Sequence, residues 1–93
     1  MLLNDEQVSD ALDELDGWQR EGDAIVRTAE LASFPAAIDA VRRIAEIAEA
    51  RDHHPDIDIR WRTVTLRCST HSEGGITGKD VDLAREINRV LSG

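Results

Sequence analysis

The stretch Asp56-Ile57-Asp58-Ile59-Arg60-Trp61-Arg62-Thr63-Val64-Thr65-Leu66-Arg67-Cys68 decides the fold. Ile57, Ile59 and Trp61 alternate with Asp56, Asp58 and Arg60, and Val64, Leu66 and Cys68 alternate with Thr63, Thr65 and Arg67. A period of two sends successive side chains to opposite faces, so each run reads as a half-buried strand. The strands are expected over Asp56–Trp61 and Thr63–Thr70, paired as a hairpin through a tight turn near Arg62. Cys68, in phase with Val64 and Leu66, reads as a small buried hydrophobe.

Upstream, Trp18–Arg20 and Ala24–Leu31 form a second candidate hairpin around the turn Glu21-Gly22-Asp23. Helical spacing fills the intervals. Val8, Ala11, Leu12 and Leu15 follow a capping box of Asn4 and Gln7, and Gly17 ends that helix. Ser33 and Pro35 open a second helix to about Arg51, with Phe34, Ala37, Ile38, Val41, Ile44, Ala45 and Ala48 as its apolar stripe. After the loop Ser72–Gly75, Thr77 and Asp80 have capping-box spacing, and Val81, Ala84, Ile87, Val90 and Leu91 continue as a third helix. The order α-β-β-α-β-β-α predicts an α+β two-layer sandwich, a four-stranded antiparallel sheet with helices on one face. Its ββα unit occurs twice, which hints at an internal duplication.

A chain of 93 residues supports a single domain spanning 1–93, and so small a core makes self-association a sensible expectation. With 19 acidic against 11 basic side chains the net charge is −8, which repels phosphate backbones and anionic lipid and argues against nucleic-acid or membrane partners. One cysteine permits no intrachain disulfide, and the first residues lack a basic segment followed by an apolar one, so a cytoplasmic protein is expected.

All three histidines, His53, His54 and His71, fall at one end of the expected Asp56–Thr70 hairpin, because the start of its first strand lies beside the end of its second. An imidazole titrates near neutral pH and both gives and takes protons, so three converging rings suit a reaction that protonates a leaving hydroxyl and removes a proton elsewhere. Three imidazoles and a water would also suit zinc, but adjacent residues on extended backbone turn their rings apart. Each remaining candidate has a plain structural reading beside the functional one. Asp80 suits a helix cap, Glu49 an ion pair with Arg42 or Arg51, and Trp61 the core of its strand.

The pattern Glu49-x3-His53-His54-Pro55-x5-Trp61-x9-His71-x8-Asp80, with Ser69-Thr70-His71 and Gly74-Gly75-Ile76-Thr77 around it, resembles the pterin-4a-carbinolamine dehydratase family over nearly the whole chain. Ser72 is where it departs from that family. The resemblance implies elimination of water from a 4a-hydroxytetrahydropterin to give the quinonoid dihydropterin, without a metal or organic cofactor. It implies catalysis by His53, His54 and His71, and substrate binding by Glu49, Pro55, Trp61, Thr70 and Asp80. It also implies an aromatic amino acid hydroxylase as the enzyme whose spent cofactor is recycled, while the open edges of a four-stranded sheet, which a two-fold partner could extend, lead to the expectation of a homodimer or homotetramer. The alternatives are a non-catalytic dimerising or partner-binding module of the same fold, and a small metal-dependent hydrolase.

Overall fold

The computed structural model describes residues 1–92. The helices are α1 (Asp5–Asp13), α2 (Phe34–Arg51) and α3 (Gly78–Ser92), and the strands are β1 (Trp18–Glu21), β2 (Ala24–Glu30), β3 (Asp56–Arg60) and β4 (Thr63–Cys68). Their order is α-β-β-α-β-β-α, as expected, with one addition: a 3₁₀ turn over His71–Glu73 that overlaps the start of the expected Ser72–Gly75 loop. All strand pairs are antiparallel in the spatial order β1-β2-β4-β3. The second strands of the two ββα units are therefore the central pair and the first strands the edges.

Local chemistry explains the boundaries. Asn4 accepts from the Gln7 N–H while the Gln7 side chain accepts from the Asn4 N–H, the reciprocal box that opens α1. Ser33 accepts from the Ala36 N–H at the start of α2, with proline in its first turn. Gly17, at φ +84°, makes the corner between α1 and β1, and a Cβ there would stand 3.0 Å from Arg27 Nε. The first helix stops at Asp13, short of the expected Leu15, although Leu15 is still buried.

The helices cover one face of the sheet. Trp18, Ile25, Val64, Leu66 and Cys68 point into the core against Val8, Ala37, Ile44, Leu83, Ala84 and Ile87. The other face is polar, and on it the hydroxyls of Thr28 and Thr65 meet across β2 and β4 at 3.1 Å. β3 differs from the expected half-buried strand, since all five of its residues are exposed. It is an edge strand that the helices do not reach, so Ile57 and Ile59, in phase with core residues Leu66 and Val64, remain 36% and 37% exposed. Trp61 is not a core residue of that strand: it sits in the β3–β4 turn, 70% exposed.

Cys68 is 1% exposed, as its phase in β4 requires. Burial foremost, then the negative charges of Asp80 and Asp56, push its thiol pKa up from 9.0 to about 12. Above pH 9 the unfolded chain releases this proton while the folded chain keeps it. Stability should therefore be indifferent to this group below pH 9 and fall between pH 9 and about 12, by about 1.4 kcal/mol per pH unit. Urea unfolding of wild type and Cys68→Ala across that range checks this; an equally steep fall in the alanine variant would show that another group is responsible.

Candidate functional site

The C-terminus of α2 aims the first histidine. Asp52 takes the left-handed conformation, φ 51°, and its N–H returns to the Glu49 carbonyl while the His53 N–H returns to that of Ala48. This pair of bonds is the Schellman arrangement, here closed by aspartate where glycine is usual. It turns the chain out of the helix so that His53-His54-Pro55 enters β3. The β3–β4 register pairs Asp56 with Arg67, and its continuation runs His54 and His53 alongside Ser69 and Thr70.

His53 is nearly enclosed, and its Nε2 lies 2.6 Å from Oδ1 of Asp80, a carboxylate with no solvent exposure. The second oxygen of Asp80 accepts from the Thr70 hydroxyl at 2.8 Å and from the Thr77 N–H at 2.9 Å. Thr70 has one hydroxyl proton and gives it to Asp80, so across the 2.7 Å contact between the two threonine hydroxyls Thr77 is the donor. The Thr77 oxygen in turn accepts from the Lys79 N–H at the start of α3. Asp80 thus returns to the N–H of Thr77 as a cap and holds an imidazole as well. As a carboxylate it only accepts, which assigns the ring proton to Nε2 and leaves Nδ1 as the other nitrogen of His53.

His54 turns the other way. Its Nε2 is 2.8 Å from Oε1 of Glu49, with both side chains exposed. Glu49 therefore faces a histidine rather than an arginine: Arg42 pairs with Asp39 and Glu46, and Arg51 with Glu86. His53 and His54 are thus committed to separate carboxylates, and among the described residues no three His, Cys, Asp or Glu side chains are grouped to hold a metal ion. Pro55, between this pair and β3, is half-buried.

His71 begins the 3₁₀ turn that follows Thr70. The turn is closed by paired backbone bonds between Thr70 and Gly75 and by Gly74 at φ +75°, and it is strapped by the N-terminal segment, where the Leu3 N–H donates to the Ile76 carbonyl. His71 lines a cleft of about 240 Å³ with Asp23, Asp56, Arg67, Ser69 and Gly74. Neither His53 nor His54 lines it. Larger hollows of about 430 and 450 Å³ lie over the α2–α3 ends and beside α1, and neither has a histidine in its wall.

Of the residues singled out by sequence, His53, Thr70 and Asp80 share one network, His54 and Glu49 form a neighbouring pair, and His71 occupies the adjoining cleft. Trp61 stands apart, at the far end of β3, with the Arg62 guanidinium 4.8 Å from its ring centre. Thr77, Asp23, Arg67 and Ser69 were not anticipated as site residues. Thr77 carried only its cap signal. Asp23 reaches the cleft because the Ser69 hydroxyl donates to its carbonyl, a link over 46 positions that no local pattern encodes.

Breaking the buried network should be costly, because Asp80→Ala leaves a threonine hydroxyl, a backbone N–H and an imidazole without their acceptor. A loss of about 3 kcal/mol or more is expected by urea unfolding. Glu49→Ala, at an exposed pair, should cost under about 1 kcal/mol.

The chain is similar to known proteins over nearly its whole length. The family model for pterin 4 alpha carbinolamine dehydratase matches residues 1–90. A relative from Mycobacterium avium (strain 104) that carries this family's name is 60% identical over 90 residues, covering 97% of this chain and 96% of the relative. Another, from Nocardia farcinica (strain IFM 10152), is 61% identical over 89 residues, covering 96% and 94%. A crystal structure from Brucella melitensis, described as a transcriptional coactivator/pterin dehydratase, superposes with a TM-score of 0.95 at 33% identity over 98% of this chain and 99% of that one. The chain belongs to the pterin-4-alpha-carbinolamine dehydratase family, a family of hydro-lyases.

Proposed function

We propose that the chain eliminates water from a 4a-hydroxytetrahydropterin by histidine general acid–base catalysis. The observation that carries this reading is the buried Asp80–Thr70–Thr77 network gripping His53 at 2.6 Å, with the His54–Glu49 pair and His71 on the adjoining backbone. A buried carboxylate that accepts from one ring nitrogen fixes the tautomer and direction of an imidazole, which leaves the other nitrogen to exchange protons. His53, His54 and His71 are the acid–base groups. Glu49, Thr70 and Asp80 position them, and Pro55 shapes the wall.

The reaction balances without redox change. A proton delivered to the 4a-oxygen lets the C–O bond break with release of water, the N5 lone pair supplies the electrons, and loss of the N5 proton leaves the quinonoid dihydropterin. Each transfer is within the range of an imidazole at neutral pH. The product would return to an aromatic amino acid hydroxylase in a cell that has one. The chain would work in the cytoplasm, where a buried free thiol such as Cys68 is at home. It would do so as a homodimer or homotetramer.

A second reading has one observation in its favour: the Brucella structure is described as a coactivator as well as a dehydratase. In that reading the chain is a dimerising or partner-binding module without turnover.

Turnover of a 4a-hydroxytetrahydropterin generated in situ separates the two. The dehydratase reading expects His54→Ala, at an exposed position that the fold does not need, to lower kcat by about 10² to 10⁴-fold. His71→Ala should do the same. A wild type whose rate equals the uncatalysed one, or that loses nothing with either variant, would leave the module reading standing.

A further inference from the structure

Two of the three imidazoles are held by a carboxylate, and the third is not. Asp80 faces the ring of His53 and Glu49 that of His54, whereas among the described residues no hydrogen-bonding partner reaches the ring of His71, which stands exposed on its 3₁₀ turn. The place of that ring is therefore set by the backbone beneath it. Thr70 and Thr77, which flank the loop, are both tied to Asp80, and Thr70 and Gly75 exchange both of their backbone bonds across it. Successive residues of an extended segment direct their backbone groups to opposite sides. Gly75 turns to Thr70, so Ile76 turns away from it, and there it meets Leu3.

Three contacts make this second side. The Leu3 N–H donates to the Ile76 carbonyl at 2.9 Å, Leu2 bridges antiparallel to Thr77, and a methyl of Leu2 lies so close over Gly75 that a Cβ there would stand 3.0 Å from it. Residues 75–77 are all buried beneath these neighbours, and the Ile76 carbonyl belongs to a residue only 3% exposed, where water is a poor substitute for a lost donor. The strap is also held taut. Leu3 packs against the core and leads at once into Asn4, the residue that caps α1, so this segment cannot slacken without disturbing that helix.

We propose that Leu2 and Leu3 are positioning residues for His71: pairing of the Leu2–Leu3 backbone with Ile76–Thr77 fixes the turn on which this otherwise unheld imidazole meets its substrate. The segment before α1 then does for His71 what Asp80 does for His53 and Glu49 for His54. The catalytic half of this statement rests on the dehydratase reading; the hold on the turn does not.

Leu3→Pro tests both halves, because it deletes the one N–H donor and keeps an apolar side chain. Amide hydrogen exchange followed by NMR reads the hold without substrate. The N–H groups of Thr70 and Gly75 should exchange about 5-fold faster relative to that of Leu66 in β4, the effect of losing one hydrogen bond from a local opening. With a 4a-hydroxytetrahydropterin generated in situ, kcat should fall about 10- to 100-fold while KM moves less, because the ring is misplaced and not removed. Leu31→Ala is the control for stability alone: it trims a partly buried side chain beyond the other end of β2, and should lower the urea midpoint while leaving kcat as it was. Gly75→Val lifts the strap from the opposite side and serves equally should Leu3→Pro fail to fold; its loss of kcat should be relieved by adding Leu2→Ala, which makes room for the new methyls. Unchanged exchange in Leu3→Pro or, should that variant not fold, in Gly75→Val overturns the hold. Faster exchange with normal kcat while His71→Ala is impaired, or an equal loss of kcat in Leu31→Ala, overturns the positioning role. A wild type without turnover refutes the dehydratase reading instead, and the exchange result still decides the hold.

Discussion

Asp80 has no exposure to water, and an ionised group in that position is tolerable only where protein donors replace the solvent on every side. Those donors come from three elements: the α2–β3 junction through His53, the end of β4 through Thr70, and the start of α3 through Thr77. The carboxylate thus draws together chain segments that the hydrophobic core alone would leave free to slide. The same bonds that fasten α3 to the sheet decide which way an imidazole points. In a protein with so small a core, one buried charge doing both tasks ties the folded state to the geometry of its site.

Much of this was legible before any coordinates. Alternation identified β3 and β4, helical spacing identified α1 to α3, and the Asn4–Gln7 and Ser33 caps fixed where helices begin, because each of these signals acts over a few residues. Hairpin geometry put the three histidines at one end of the sheet but not in one cleft: His53 and His54 turn to separate carboxylates, and His71 lines a hollow that neither of them reaches. What could not be read was which carboxylate each ring would take: Asp80 lies 27 positions from His53, and for Glu49 a place in the site stood beside an ion pair with arginine. The exposure of Ile57 and Ile59 was also hidden, since a period-two pattern gives the phase of a strand but not whether helices extend over it. Trp61 misled for the related reason that a tryptophan at the last beat of an alternating run looks like core until the turn is seen to begin there.

The three rings have different surroundings, which bears on how they would share chemistry. His53 is fixed and nearly dry, His54 is in water beside one carboxylate, and His71 stands on a short turn over an open cleft with Arg67 and Asp56 in its wall. A fixed ring suits orientation and proton transfer along a set line, whereas a solvated one exchanges protons with bulk water and recovers its state between turnovers. Dehydration needs both properties, because a proton is delivered in one place and lost in another.

The outer edge of β3 is left open by the strand order β1-β2-β4-β3. A strand with unmet backbone groups is a hazard unless something blunts or uses it. Here β3 carries no proline and no bulge, and Asp56, Asp58 and Arg60 give one of its faces three charges while isoleucines hold the other, so charge is what blunts this edge.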